Sequence, residues 1–139
     1  MTSFTPELRF AQKVLDEQPF SVLVGARVEV FEPGRAVLAL DIREDLKQQN
    51  GFVHGGVLAY AADNALTFAA GTALGPAVLT GGLTISYVRP ATGVSLEAEA
   101  TVVSSGRRQA ICQCEIFAVA ADGTRTLCAV AQGSVLTAG

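Results

Sequence analysis

Residues 54–64 read HGGVLAYAADN. A glycine pair directly follows the one histidine of the chain, and a carboxylate, Asp63, sits deep in an apolar, Ala-rich run that continues as ALTFAAGTAL to Leu74. The length and composition of residues 56–74 predict an α-helix, and its nearly all-round apolar character predicts that the helix is buried. Gly75-Pro76 ends it. Aspartate is a weak helix former and an unpaired carboxylate is costly to desolvate, so Asp63 needs either a compensating partner or a function.

Upstream, REDLKQQNGFV lacks periodicity and reads as a loop, while ARVEVFEPGRAVLALDI reads as two strands around a Pro33-Gly34 turn. TPELRFAQKVLDEQ predicts a short amphipathic helix at about 6–17, with Thr5 as cap, Pro6 in the first helical position and Glu7 in the first turn; Pro19 then interrupts. Downstream, four strands are expected as a meander over roughly 78–89, 94–105, 107–120 and 124–136. The plan is α+β, one antiparallel sheet against a buried helix, in a single domain across 1–139.

Composition narrows the function classes. Hydrophobic residues make up 50% of the chain and charged ones 17%, which argues for a packed core and for oligomerisation. A net charge of -3 with scattered Lys and Arg argues against nucleic acid. The first 30 residues lack an unbroken apolar core of signal-peptide type, so a cytoplasmic location is expected. Asp63 and Asn64 argue against a membrane span in the apolar window 55–74. Cys112, Cys114 and Cys128 lack zinc spacing and are expected as buried, reduced thiols.

Several residues around Asp63 are candidates for chemistry. Gly55 and Gly56 fall at the helix start, where backbone N–H groups lack partners and the helix dipole favours negative charge, as an oxyanion requires. A tight turn into the helix accounts for a glycine pair equally well. Thr67 lies one turn after Asp63 and can orient its carboxylate or bond back to a backbone carbonyl. Gln48 and Asn50 offer amide donors beside the helix start or serve the loop. Gly55 and Asp63 lie about 12 Å apart along a helix, too far to act on one small carbonyl. If both serve one reaction, the second must come from another subunit across a two-fold axis, which makes the enzyme a dimer with shared sites.

NGFVHGG, an Asp nine residues after His54, and a strand ending SYVRPA together resemble the hotdog-fold acyl-CoA thioesterases, particularly the phenylacetate-degradation (PaaI-like) group and the 4-hydroxybenzoyl-CoA type. The resemblance covers about residues 20–136. It implies a long central helix wrapped by a curved antiparallel sheet, dimers assembled into tetramers as dimers of dimers, and hydrolysis of a coenzyme A thioester. It further implies Asp63 as general base or nucleophile and Gly55 as the N–H donor to the thioester oxygen. Gln48 matches a Gln of the 4-hydroxybenzoyl type where the phenylacetate type has Asn. Thr67 matches a water-positioning Thr of the former, and Thr80 a Ser or Thr of the latter.

His54 is either a general base or, as the family pattern favours, a structural residue holding the loop. Arg89, Arg107 and Arg108 are candidates for the phosphates of coenzyme A, or are solvated turn residues. Leu58, Tyr60, Ala62, Leu66 and Phe68 are candidates for the acyl pocket from one face of the helix or the other, or are plain core. With no second histidine and no nucleotide-binding glycine motif, no metal or cofactor is expected; coenzyme A is part of substrate and product. An aromatic or medium-chain acyl-CoA is the expected substrate. The alternatives are a hotdog hydratase or dehydratase on hydroxyacyl thioesters, and a non-catalytic acyl-CoA-binding module.

Overall fold

The computed structural model describes residues 5–138, so the ends of the expected 1–139 domain, residues 1–4 and 139, lie outside the described residues. The elements in chain order are α1 (Leu8–Asp16), α2 (Pro19–Val24), β1 (Arg27–Glu32), β2 (Arg35–Asp41), a single 3-10 turn (Glu44–Leu46), α3 (Gly55–Leu74), β3 (Val78–Tyr87), β4 (Ser95–Ser105), β5 (Gln109–Val119) and β6 (Arg125–Thr137). All six strands form one antiparallel sheet in the order β1-β2-β4-β5-β6-β3, curved around α3.

The central helix is where the apolar run predicts it, and the sheet explains its composition. Leu58, Ala61, Ala62, Ala65, Leu66, Ala69 and Ala70 are buried in one core with the inner residues of the strands. Alanine lets the backbones of helix and sheet approach closely, and each buried Leu or Phe adds about 1.5–3 kcal/mol. The alternation along β5 sends Ala110, Cys112, Cys114, Ile116 and Ala118 inward. Gly133 on β6 fits the tightest point: a Cβ there would lie 2.7 Å from the Gly82 carbonyl oxygen of β3 and 3.1 Å from Leu66 Cδ1.

Three expectations are corrected. The first helix begins at Leu8, because Glu7 is still extended; the Glu7 carbonyl, rather than a Thr5 cap, accepts the first N–H bonds from Phe10 and Ala11. Pro19 opens a second helix instead of only closing the first, since proline suits the first helical position as well as it suits a break. The last four strands are not a simple meander. β3 pairs with β6, and the 88–94 link crosses the end of the sheet, tied by Val88 N–H to Cys128 O and Val94 N–H to Val119 O, to deliver β4 beside β2. Alternation reports which face a residue takes, not which strand is its neighbour.

β3 is therefore a sheet edge of ten residues. No helix among the described residues is long and apolar enough to cross a membrane.

Candidate active site

The loop before α3 is fixed by its backbone. His54 N–H donates to Leu46 O, and Val53 N–H donates to Ala91 O. His54 is the N-cap of α3: its Nδ1 accepts the Gly56 N–H at 2.9 Å, and its carbonyl accepts from Val57 and Leu58. A ring nitrogen that accepts carries no proton, so a neutral His54 bears its proton on Nε2. The glycine pair is thus unequal. Gly56 N–H is taken by the cap, which removes it as a binding donor, while Gly55 N–H meets no protein acceptor among the described residues. One free donor remains at the positive end of a 20-residue helix.

A groove of about 350 Å³ opens in front of that donor, and Gln48, Gly55, Tyr87 and Arg89 help line it. Tyr87, at the end of β3, donates its hydroxyl to Gly55 O at 3.0 Å, and its ring lies 3.4 Å from where a Gly55 Cβ would sit. Gln48, which lines the groove, uses its Oε1 to accept from Asn50 N, and its amide nitrogen has no partner among the described residues. Asn50 itself belongs to the 48–51 turn, is exposed, and does not line the groove.

The acid is held further along the helix. Asp63 is half-buried, and its Oδ1 accepts from Thr80 Oγ1 of β3 at 2.5 Å. Thr67 Oγ1 lies 2.8 Å from Thr80 Oγ1 and 2.8 Å from Asp63 O. Each hydroxyl has one proton. With that of Thr80 directed to the carboxylate, Thr67 is the donor of its pair and divides its proton between Thr80 and the backbone. Thr67 therefore bonds back to the Asp63 carbonyl and reaches the carboxylate only through Thr80. The second Asp63 oxygen accepts no bond from a described residue and is not among the buried unsatisfied atoms, so it is open to water.

Between α3, α1 and the start of β3 lies a second cavity, of about 120 Å³, with Thr67 in its wall beside Phe68, Gly71, Asn64 and Gln18. Of the helix residues considered for an acyl pocket, only Phe68 reaches this cavity. Leu58 is a core residue that also lines the groove in front of Gly55, Ala62 and Leu66 face the core, and Tyr60 turns its hydroxyl to Ser21 Oγ at 2.6 Å. Sequence reasoning missed the small polar cluster here. Ser21 is 1% exposed and donates to Gln18 Oε1 at 2.6 Å, and Asn64 Nδ2 reaches both Gln18 Oε1 and Tyr60 Oη at 3.1 Å. The signal was Tyr60 and Asn64 one turn apart on a helix with few polar residues.

The arginines divide. Arg89 lines the groove with Gly55, whereas Arg107 and Arg108 occupy the exposed β4–β5 turn, whose Arg108 carbonyl bonds Thr137 opposite the start of β3. They lie at opposite ends of β3, about 30 Å apart by strand rise.

The cysteines are free and buried on the inner sheet face, and burial pushes Cys112 up to about 11 and Cys114 to about 12, so neither is a nucleophile at neutral pH. Among the described residues, no group of three or more His, Cys, Asp or Glu is placed to hold a metal ion.

Within one chain, then, a free donor and a held acid share a helix without sharing a site. The model of the thioesterase superfamily matches residues 50–124, which contain both. A thioesterase family protein from Silicibacter pomeroyi is 29% identical, with a TM-score of 0.85 over 91% of this chain and 93% of its own. A variant of the phenylacetic acid degradation protein PaaI from Thermus thermophilus is 31% identical, with a TM-score of 0.75 over 86% of this chain and 99% of its own. The E. coli PaaI protein shares the fold, at 21% identity and a TM-score of 0.81, over 96% of this chain and 97% of its own.

Proposed function

Because the chain belongs to the thioesterase superfamily and is a thioester hydrolase with the hotdog fold, we propose that it hydrolyses aromatic or medium-chain acyl-CoA, in sites shared between two subunits. The observation that carries this reading is the pairing on α3 of one unengaged N–H, at Gly55, with one carboxylate held by a hydroxyl, at Asp63.

The edge strand supplies the geometry of sharing. β3 begins beside Asp63, through Thr80, and ends beside Gly55, through Tyr87. A second copy laid antiparallel along that edge about a two-fold axis sets the Gly55 end of one chain against the Asp63 end of the other, twice. Long open edges also favour pairing, and Leu79 on this one is 65% exposed. The same inversion brings Arg107 and Arg108 of one chain toward the Arg89 end of the other, where together they suit the phosphates of coenzyme A. A tetramer forms from two such dimers. The reaction as proposed calls for no metal or cofactor.

In each site, Gly55 N–H, assisted by Gln48, polarises the thioester oxygen and receives the charge that develops there. The free oxygen of the partner's carboxylate at position 63 takes a proton from water, which attacks the carbonyl carbon. The C–S bond then breaks, and the sulfur leaves as the thiol with the proton that the carboxylate took from water, which regenerates the carboxylate. His54 holds the loop as a cap and transfers no proton.

Thiol release across aromatic and aliphatic acyl-CoAs tests the activity, and absence of release from every member would overturn it. A 3-hydroxyacyl-CoA in the same panel, watched for an enoyl product, separates hydrolysis from the dehydratase reading. Sharing is tested by mixing chains carrying Asp63→Ala with chains carrying Gly55→Pro. Random pairing regenerates one intact site in half of the dimers, hence about a quarter of full activity. A mixture as inactive as its components would rule out shared sites.

A further inference from the structure

Gly71 is a buried glycine inside α3, where glycine costs helix stability relative to alanine and a core position ordinarily carries a side chain. Crowding does not explain it. A Cβ at Gly71 would meet only Val78 Cγ2, at 4.0 Å, and the backbone there needs no positive φ. The room is the 120 Å³ cavity, whose wall Gly71 forms one turn beyond Thr67. We infer that Gly71 sets the size of the acyl group this enzyme accepts, and that α1 closes the far end of the acyl pocket.

This rests on the hydrolase reading and deepens it. Thr67, which touches Thr80 and through it Asp63, stands at one side of the cavity, so an acyl chain entering past the carboxylate passes directly into it. Phe10 and Val14 of α1 lie across from the helix. The rings of Phe10, Phe31 and Phe68 follow one another at 6.5 Å and 6.0 Å between centroids and make a stiff wall. A cavity of about 150 Å³ takes up benzene, so 120 Å³, walled by three phenylalanines with Gln18, Asn64 and Thr67 at its polar side, matches one ring or a short branched chain and excludes a long saturated one. Gly71 is where one added methyl removes room that the ring needs, and Phe10 is where a removed ring opens a path outward.

Two thioethers of coenzyme A that cannot be hydrolysed, S-phenacyl-CoA and S-acetonyl-CoA, read pocket size apart from catalysis by calorimetry. Gly71→Ala is expected to lower the ratio of phenacyl to acetonyl affinity by about tenfold, and Gly71→Val by more, as overpacking of a filled site predicts. Gly71→Ala replaces a helix-interior glycine, so its melting temperature should not fall, which separates lost binding from lost folding. Phe10→Ala is expected to gain affinity for S-(2-oxohexadecyl)-CoA, whose long saturated chain the wild-type pocket excludes. An unchanged ratio in Gly71→Ala, or wild-type protein that binds neither thioether, would overturn the assignment. A Gly71-dependent ratio without thiol release would sustain the pocket and refute hydrolysis; thiol release with an unaltered ratio would do the reverse.

Discussion

The start and the middle of α3 are built from opposite materials. At the start, the functional group is a backbone N–H, left over because His54 caps Gly56 and leaves Gly55 alone. In the middle, it is a side chain, Asp63, and what holds it is a hydroxyl from another element, Thr80 on β3. A backbone donor is fixed by the fold and is insensitive to most substitutions at its own position. A carboxylate depends on its own identity and on its neighbour. The two ends should therefore respond very differently to mutation, and the size of each response measures which material does which part of the work.

The largest effect is expected at the acid. Asp63→Asn keeps the shape and still accepts from Thr80, but cannot take a proton from water, so kcat should fall by at least about a thousandfold, within the range that general base and orientation contribute together. Circular dichroism and sedimentation should be unchanged. Turnover near wild-type would remove Asp63 from the mechanism. Turnover of the wild-type enzyme in heavy-oxygen water then distinguishes a general base from a nucleophile, because only a carboxylate that forms an anhydride acquires label.

At the start of the helix, Gly55→Ala says little, since its Cβ would meet the Tyr87 ring at an ordinary 3.4 Å and the N–H would remain. Gly55→Pro is the sharper change. His54 has φ -59° and ψ 136°, the extended conformation suited to a residue before proline, and proline is favoured in the first helical position. The variant should fold yet lack the donor, and kcat should drop by about a hundredfold to a thousandfold, as loss of one oxyanion donor does elsewhere. Normal kcat in a folded Gly55→Pro protein would place the oxyanion site somewhere else.

The two regions also differed in how far the sequence disclosed them. Asp63 announced itself, because a carboxylate in an apolar helix conflicts with both propensity and solvation, and the helix bounds followed from the same run. The inequality of Gly55 and Gly56 did not, since it depends on where the His54 ring turns. Thr80 could be named only by resemblance: it is 17 residues from Asp63, and contact between them requires knowing that β3 returns along α3. The displaced β3, paired with β6, was hidden for the same reason, as was the cluster of Gln18, Ser21, Tyr60 and Asn64, which unites a loop residue, a six-residue helix and α3. Local pattern shows what each element buries; long-range pairing decides what each side chain meets.

Thr80→Val tests the support beneath the acid. It keeps the β-branched shape suited to a strand and removes the proton donated to Asp63 Oδ1. Hydrogen bonds to charged groups contribute about 1.5–3 kcal/mol, so kcat should fall by about tenfold or somewhat more, less than either loss above. Thr67→Val should cost less again, because Thr67 divides its proton between Thr80 and a backbone carbonyl. Equal losses in the two variants would contradict that order of donors.

The smallest expected change lies in the support beneath the donor. Tyr87 bonds Gly55 through the carbonyl oxygen and packs its ring against the same residue, yet the loop is also held by Leu46, Ala91 and the His54 cap. Removing one bond of several should matter little. A neutral hydrogen bond is worth about 0.5–1.5 kcal/mol net, and the remaining ties resist movement of the N–H, so Tyr87→Phe should lower kcat only about two- to fivefold with KM nearly constant. A loss as large as that of Thr80→Val would mean that the backbone donor is no better fixed than the side-chain acid, and the contrast between the two regions of α3 would collapse.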